Sequence, residues 1–398
     1  MSQLAQPVAA PSLETTDPIV HKLRQRFVSL EERGMPTQPF SVRLEDGTPY
    51  PVGGGESAFT IGIVNDQGRQ DLGSLDELSI AEAYMLGDLD IDGEMLAALR
   101  FRPMLSDRRP LHYLWQTYLQ PWIFGQESRD ERWISSHYDI DPDFFVLWLD
   151  SEIRAYSHGH FASDDESLEA GMLRKFQYAF DATGMKPGWK VLDIGGGWGS
   201  FQEFAGEKGV HVTSLTISAE SEGYMNRLIE ERGYPGRAIR QHLLAWETDE
   251  KFDAIVNLGV TEHLPDYRRT LARYQRLLKP GRRIYLDAYS GNRHGMPSFI
   301  SKWVFEGNTS PLNLERYLHE LASTPFELME IINDRHNYYL SCKKWAENLE
   351  AVEEEVVERW GEHLFRRFRL YLWAAANSFR NGTLEAHRMV LELPEAAG

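Results

Sequence analysis

Residues 191–200 read Val-Leu-Asp-Ile-Gly-Gly-Gly-Trp-Gly-Ser, a short apolar run that enters a glycine turn of the form D-x-G-x-G-x-G. Such a stretch allows a nucleotide-like ligand to bind directly against bare backbone. Val191, Leu192 and Ile194 suit a buried parallel strand. Gly195, Gly197 and Gly199 admit positive φ and remove the Cβ atoms that would hold a ligand away. Asp193 leaves the strand at its carboxyl end, where open α/β sheets bind their ligands. A purely structural turn uses the same residues, so the downstream strands must decide between the two.

The spacing fits S-adenosylmethionine (SAM) methyltransferases better than the dinucleotide fingerprint G-x-G-x-x-G, whose helix N-terminus faces a pyrophosphate. In many methyltransferases an acidic residue ends the second strand and grips the ribose hydroxyls. Here the strand His211-Val212-Thr213-Ser214-Leu215-Thr216-Ile217-Ser218 ends in hydroxyls instead. Ala245-Trp246-Glu247 then precedes the run Phe252-Asp253-Ala254-Ile255-Val256, where an adenine ring usually stacks. Trp246 is expected to supply that stacking face; its plain alternative is ordinary core packing.

Composition narrows the classes of partner. The chain has 398 residues, a formal charge of −18 and 42% hydrophobic residues, enough for a sizeable core and against wholesale disorder. Phosphate backbones demand concentrated Lys and Arg, so nucleic acid is excluded. Cys342 is the single cysteine, which rules out an intrachain disulfide and suits a reducing cytoplasm. It reads as inert packing, and His137 and His263 share no metal-ligand spacing, so no metal is expected. There is no run of about eighteen apolar residues and no signal-peptide core. A cytoplasmic protein, at most peripheral to a membrane, is expected. Residues 99–109 are basic and apolar and precede an aromatic-rich stretch at 113–124. They read either as a lipid-touching patch or as a solvated linker before a packed helix.

Residues 1–16 are small and polar and read as a disordered tail. A small α+β module is expected over 17–100. Its signs are a helix near 20–30, strands at 40–44 and 59–64, turns at Asp46-Gly47 and near Gln67-Gly68, a helix from Ile80 and a strand at 89–93. A helical connector is expected at 101–130. From 131 to 398 strand and helix patterns alternate, with strands expected at 190–195, 210–216, 252–258, 282–289 and 336–342. That alternation predicts a mostly parallel sheet with helices on both faces, a Rossmann-like α/β fold. Trp360, Leu364, Phe368 and Tyr371 recur at three- and four-residue steps, which predicts helix over 352–379. Phe299-Ile300, Trp303-Val304-Phe305 and Pro311 suit an apolar acceptor lid at 295–314, or equally a helix packed on the core.

Several ordered motifs resemble the cyclopropane-fatty-acyl-phospholipid synthases and mycolic acid cyclopropane synthases. His137-Tyr138-Asp139, Phe144-Phe145, Leu147-Trp148-Leu149-Asp150 and Tyr156-Ser157 are similar to the segment before that family's SAM domain. The turn at 193–200, Leu215-Thr216-Ile217-Ser218, Trp246-Glu247 and Thr261-Glu262-His263 continue in its order. Phe368-Arg369-Leu370-Tyr371-Leu372, Phe379-Arg380 and Gly382 resemble its closing helix. Glu82-Ala83-Tyr84-Met85-Leu86-Gly87-Asp88 is similar to the extra lipid-binding module of bacterial phospholipid-acting members. The resemblance implies a class I SAM methyltransferase that acts on a double-bond carbon of an unsaturated fatty acyl chain, carried on a phospholipid. It implies a SAM site of Tyr156, Ser157, Asp193, Gly195, Gly197, Gly199, Thr216, Ile217, Trp246 and Glu247. Ser221 stands where the family carries a glutamine. Members with the extra module often pair, which leaves a homodimer open. Plant alkaloid N-methyltransferases share the Tyr-Ser segment and the Glu-His pair, so a small-molecule methyltransferase is the alternative.

The departures concern the base. In the family a bound bicarbonate, held by a cysteine, a glutamate, a histidine, an isoleucine and a tyrosine, removes the proton that closes the cyclopropane ring. Glu262 and Tyr338 keep two of those places, while His158, Asp287 and Tyr289 stand at the cysteine, histidine and isoleucine positions. An aspartate beside bicarbonate puts two anions together and weakens the ion's binding. The expected base is therefore a protein group, His158, Asp287 or Glu262, or else the proton leaves another carbon. Loss from the new methyl gives a cyclopropane; loss from a neighbouring chain carbon gives a methyl-branched alkene. His160 follows His158 across Gly159, and a pocket role is expected for this pair over a surface one. Glu262 has a plain reading as a helix cap, against which stands its place at a strand's carboxyl end.

Overall fold

The computed structural model describes residues 16–106, 141–149, 152–291, 297–304 and 311–395. Most of the expected tail and connector, and the His137-Tyr138-Asp139 motif, lie outside these residues. Two units emerge: Met1–Tyr113 with Met296–Val304 and Glu353–Ala374, and Leu114–Gly295 with Phe305–Val352 and Ala375–Gly398.

In the first unit, α1 (Pro18–Glu32) starts where the Asp17 carboxylate accepts from the amides of Ile19 and Val20, and Pro18 supplies a preset φ. It buries Val20, Leu23, Phe27 and Leu30 at three- and four-residue steps. Their partner is a four-stranded sheet of order β2-β1-β3-β4, built from β1 (Phe40–Arg43), β2 (Pro49–Val52), β3 (Phe59–Ile63) and β4 (Leu89–Gly93). Between β3 and β4 run α2 (Asp66–Ser74) and α3 (Glu77–Leu86), and α4 (Met95–Ala98) follows β4. The turn expected near Gln67-Gly68 is the first turn of α2, capped by Asn65, whose side chain accepts from the Gly68 amide at 3.0 Å. Gly68 is required there by proximity: a Cβ on it would lie 2.0 Å from the Asp88 carbonyl oxygen. In the same unit Glu82 Oε1 accepts from Trp303 Nε1 at 2.8 Å and Lys302 Nζ at 2.5 Å, so described residues of the expected lid pack against this module.

The second unit holds a seven-stranded sheet of order β10-β11-β9-β8-β5-β6-β7. Its strands are β5 (Lys190–Ile194), β6 (His211–Thr216), β7 (Gly236–Arg240), β8 (Phe252–Leu258), β9 (Leu278–Ser290), β10 (Glu327–Asn333) and β11 (Glu385–Leu393). β5 to β9 pair in parallel, while β11 runs antiparallel to both β9 and β10. This is the expected Rossmann-like sheet. Helices α5 (Pro142–Trp148), α6 (Leu168–Thr183), α7 (Ser200–Glu207), α8 (Ala219–Arg232), α9 (Tyr267–Leu277) and α10 (Leu314–Leu321) connect or precede the strands. Val191, Leu192, Phe252, Ile255 and Leu286 are wholly buried, as central parallel strands require. Each such side chain contributes roughly 1.5–3 kcal/mol.

Residues 336–342, expected as a strand, belong instead to α11 (Arg335–Ala351). Leu340, Trp345, Ala346 and Leu349 are buried at helical spacing, a period that a seven-residue window is too short to display. The helix expected over 352–379 is two, α12 (Glu353–Trp360) and α13 (Glu362–Arg380), broken at Gly361 with φ +88°. Among the described residues no helix is long and apolar enough to cross a membrane.

Candidate active site

The carboxyl ends of β5, β6 and β8 open on a cleft of about 860 Å³, counting its solvent mouth. Gly195, Gly197, Trp198, Thr216, Ile217 and Ser221 form one wall, and Gln241, His242, Gly259, Val260 and His263 another. Gly195 (φ +78°) lets the turn close on its neighbour, for a Cβ there would lie 2.3 Å from Val260 Cγ2. Gly197 (φ +53°) differs: a Cβ there would meet no atom nearer than the Gly195 oxygen at 3.9 Å, so its bare face fronts the cleft. The Ser221 hydroxyl donates to the Gly197 carbonyl and pins the turn to α8. Bare backbone beside hydroxyls and apolar walls suits a neutral or cationic nucleoside such as SAM better than a pyrophosphate.

The remaining expected SAM residues fall into three groups. Ser157 backs the cleft, since a Cβ on Gly259 would meet its Cβ at 3.2 Å, and its hydroxyl accepts from the buried Lys175 Nζ at 2.5 Å. Asp193 and Gly199 shape the turn from beneath. Asp193 Oδ2 accepts from Ser214 Oγ at 2.9 Å, and burial pushes the carboxyl up to about 7 despite that bond. Gly199 (φ +77°) caps α7. Tyr156, Trp246 and Glu247 do not line the cleft. Tyr156 packs among Trp148, Phe145 and Trp345; Trp246 is buried against Phe252, ring centroids 6.1 Å apart; and Glu247 is 73% exposed, 3.4 Å from Arg276. The Trp246 amide donates to the His242 carbonyl at 2.9 Å, and this turn carries Trp246 into the core while Gln241 and His242 take the wall.

Beside the cleft the acid–base residues gather. Glu262 stands on a 3₁₀ turn after β8, is 2% exposed, and its Oε1 accepts from the Tyr289 amide at 2.7 Å. Burial, with the Asp287 charge adding to it, pushes Glu262 up to about 8, so the carboxyl is neutral at pH 7. Asp287 on β9 is wholly buried, and its Oδ2 accepts from the Tyr285 hydroxyl at 3.3 Å. Glu262 Oε2 and Asp287 Oδ1 have no hydrogen-bond partner. The His158 ring, also wholly buried, stacks on Tyr338 with centroids 4.7 Å apart, and Tyr338 meets the Tyr289 ring edge-on at 6.4 Å. Glu262 and Tyr289 thus join through a hydrogen bond, Tyr289, Tyr338 and His158 through their rings, and the Asp287 charge acts on Glu262.

Four participants escaped sequence reasoning. Asp334, 1% exposed, faces His158 Nε2 with Oδ2 at 3.4 Å. Arg388 Nη1 lies 3.5 Å from Asp334 Oδ1 and 2.8 Å from His160 Nδ1. Burial above all brings His160 down to about 2. Gln241 and His242 complete the cleft. No local motif marks Asp334, which lies 176 residues from His158 in sequence.

Comparison with known proteins places this geometry. Residues 125–389 match the family model described as mycolic acid cyclopropane synthetase. The chain is 30% identical over 277 residues to the cyclopropane mycolic acid synthase MmaA2 of Mycobacterium tuberculosis, covering 65% of this chain and 96% of that protein. It is 27% identical over 377 residues to a probable fatty acid methyltransferase of Pseudomonas putida, covering 90% of this chain and 93% of that one. The solved mycolic acid cyclopropane synthase CmaA1, in complex with S-adenosylhomocysteine (SAH) and CTAB, superposes with a TM-score of 0.61 at 25% identity, over 66% of this chain and 97% of that one. A glycine-lined cleft at the head of a Rossmann-like sheet and a family match across two thirds of the sequence agree: the chain belongs to the mycolic acid cyclopropane synthetase family and is a SAM-dependent methyltransferase.

Proposed function

We propose that this protein methylates a double-bond carbon of an unsaturated fatty acyl chain, carried on a phospholipid, and releases a methyl-branched unsaturated chain. The observation that carries the reading is the buried cluster of His158, Asp287 and Glu262 next to the cleft, all with an unpartnered polar atom. Bicarbonate would enter this cluster as a further anion beside Asp287, which disfavours it. A group fixed to the protein then takes the proton, and its place decides which carbon loses it. The Pseudomonas putida relative, matched along 93% of its length, is named a probable fatty acid methyltransferase, which supports a fatty acyl acceptor.

Gly195, Gly197, Thr216, Ile217 and Ser221 would hold SAM, which would supply an electrophilic methyl group on a sulfonium. The alkene π pair of the substrate forms the new C–C bond, the C–S pair returns to sulfur, and a cation is left on the neighbouring chain carbon. Asp287 provides a fixed negative charge near that cation. Neutral Glu262 is unsuited to accept the proton at pH 7 and instead fixes the end of β9 through the Tyr289 amide, where the Tyr289 and Tyr338 rings meet. Loss of a proton from an adjacent chain carbon turns its C–H pair into the new double bond. The module over 17–100, in which Val28, Val64 and Leu86 are exposed, is proposed to meet the lipid surface. Incubation with SAM and vesicles of cis-unsaturated phospholipid, followed by NMR of the acyl chains, tests the reading. Olefinic, methyl-branched signals are expected. Cyclopropane signals as the main product overturn the branched outcome, and the absence of acyl methylation overturns the lipid assignment.

A further inference from the structure

His158 lies in a stack of three rings: Tyr338 covers it at 4.7 Å and 23°, and Phe379 covers Tyr338 at 4.2 Å and 17°. The stack fixes the plane of the imidazole but not which nitrogen carries the proton. Nε2 faces Asp334 Oδ2 at 3.4 Å, while Nδ1 is buried with no hydrogen-bond partner. Asp334 is anchored in turn. Its amide donates to the Ala386 carbonyl at 2.7 Å, and its Oδ1 accepts from Asn337 Nδ2 at 2.9 Å with Arg388 Nη1 3.5 Å away.

We infer that Asp334 is a positioning residue that holds His158 as its Nε2–H tautomer and so presents Nδ1 as the atom that takes the proton in the methylation reaction. This rests on the C-methylation reading. A carboxylate only accepts hydrogen bonds, so a neutral imidazole facing it must carry its proton on Nε2, which leaves the lone pair on Nδ1. Burial opposes the charge on Asp334, yet the hydrogen bond from His158 and the Arg388 charge hold its carboxyl below the usual carboxylate range, so it remains an acceptor. The 3.4 Å separation is long for a resting bond and within the looseness of a substrate-free site. In the step itself, the substrate C–H pair becomes the new double bond and the released proton forms an N–H bond at Nδ1. Cation and neutral base become neutral alkene and imidazolium, which Asp334 stabilises.

His160 does not substitute for His158, because Arg388 Nη1 lies 2.8 Å and 3.0 Å from its two ring nitrogens. The same arrangement argues against a metal ion. Donor atoms of His158, His160 and Asp334 lie within 4.8 Å of one another, but the Arg388 guanidinium already brings positive charge among them.

The test uses the full chain with 15N-labelled histidine, in wild-type, Asp334→Asn, His158→Gln and doubly substituted forms. In the wild type the His158 resonances are expected to show Nε2 protonated and Nδ1 bare. Asp334→Asn should move the proton toward Nδ1 and lower turnover on unsaturated phospholipid vesicles by at least ~100-fold, with SAH affinity and melting temperature near wild type. His158→Gln should cost as much, and the double variant no more than either. A wild-type His158 protonated on Nδ1, full turnover in Asp334→Asn, or losses that multiply would each overturn the inference. Were the wild type to methylate no unsaturated lipid, the C-methylation reading would fall, while the tautomer signal, read without substrate, would still decide what Asp334 does to His158.

Discussion

The amide of Tyr289 donates to Glu262 Oε1 at 2.7 Å, tying the end of β9 to the 3₁₀ turn after β8. That bond favours the carboxylate, yet burial outweighs it and leaves the group neutral up to about pH 8. The relationship has a measurable consequence for stability.

In the unfolded chain Glu262 ionises near its ordinary 4.5, whereas in the native protein it does so near 8. Between those values the unfolded state loses a proton that the native state keeps, so this group's contribution is complete below about pH 4.5 and is lost as pH rises toward 8. Glu262→Gln removes the titration. The melting temperature of the variant should therefore fall less than that of wild type from pH 5 to pH 8, by about 4 °C or more. Parallel profiles in thermal denaturation would show that Glu262 is not held buried and neutral.

Gly195 and Gly197 separate packing from binding. At Gly195 an added methyl must displace Val260 and adopt φ +78°, so Gly195→Ala should cost at least ~2 kcal/mol of stability together with SAH affinity. At Gly197 only the backbone penalty of ~1–2 kcal/mol applies inside the protein, and the methyl occupies ligand space. Gly197→Ala should weaken SAH at least ~10-fold with the smaller change in denaturant midpoint. Equal effects on both readouts at both sites would contradict the assignment.

What the sequence revealed and what it hid divide by distance along the chain. The glycine turn is legible because strand, turn and helix start are local patterns with fixed chemistry, whereas Thr216, Ile217 and Ser221 were marked by the family resemblance. The sheet was legible from the alternation of strand and helix between 190 and 290. The 336–342 segment misled because Tyr338, Tyr339 and Leu340 are good strand residues whose helical partners, Trp345 and Leu349, lie beyond the window. Asp334 and Arg388 were invisible for another reason. Each meets His158 or His160 only after β10, β11 and α11 have docked, and a lone Asp or Arg carries no spacing signal.

Trp246 offers a sharper test of that limit. Its place just before β8 predicts an adenine-stacking role, but its ring lies 8% exposed in the core against Phe252, outside the cleft wall. Trp246→Phe should cost about 1 kcal/mol through lost packing and leave SAH affinity within about threefold of wild type. A large loss of affinity in calorimetric titration, with stability unchanged, would return Trp246 to the cofactor site.

The product and the base are linked through bicarbonate. A ring-closing relative that borrows this ion must slow when it is removed, whereas a base fixed in the protein does not respond. Asp287, wholly buried, and Glu262, neutral through burial and the Asp287 charge, make a second anion beside them unfavourable. Turnover in carbon-dioxide-depleted buffer should stay within about twofold of that with added bicarbonate, given a protein base such as His158. Both conceivable products add one carbon and two hydrogens to the acyl chain, so mass alone does not separate them. Proton NMR does, through the vinylic hydrogen of the branched alkene against the upfield ring hydrogens of a cyclopropane. Asp287→His restores at this position the residue type that holds the ion in ring-closing relatives. It should make turnover bicarbonate-dependent and raise the cyclopropane fraction. Bicarbonate dependence in the wild type would count directly against a protein base.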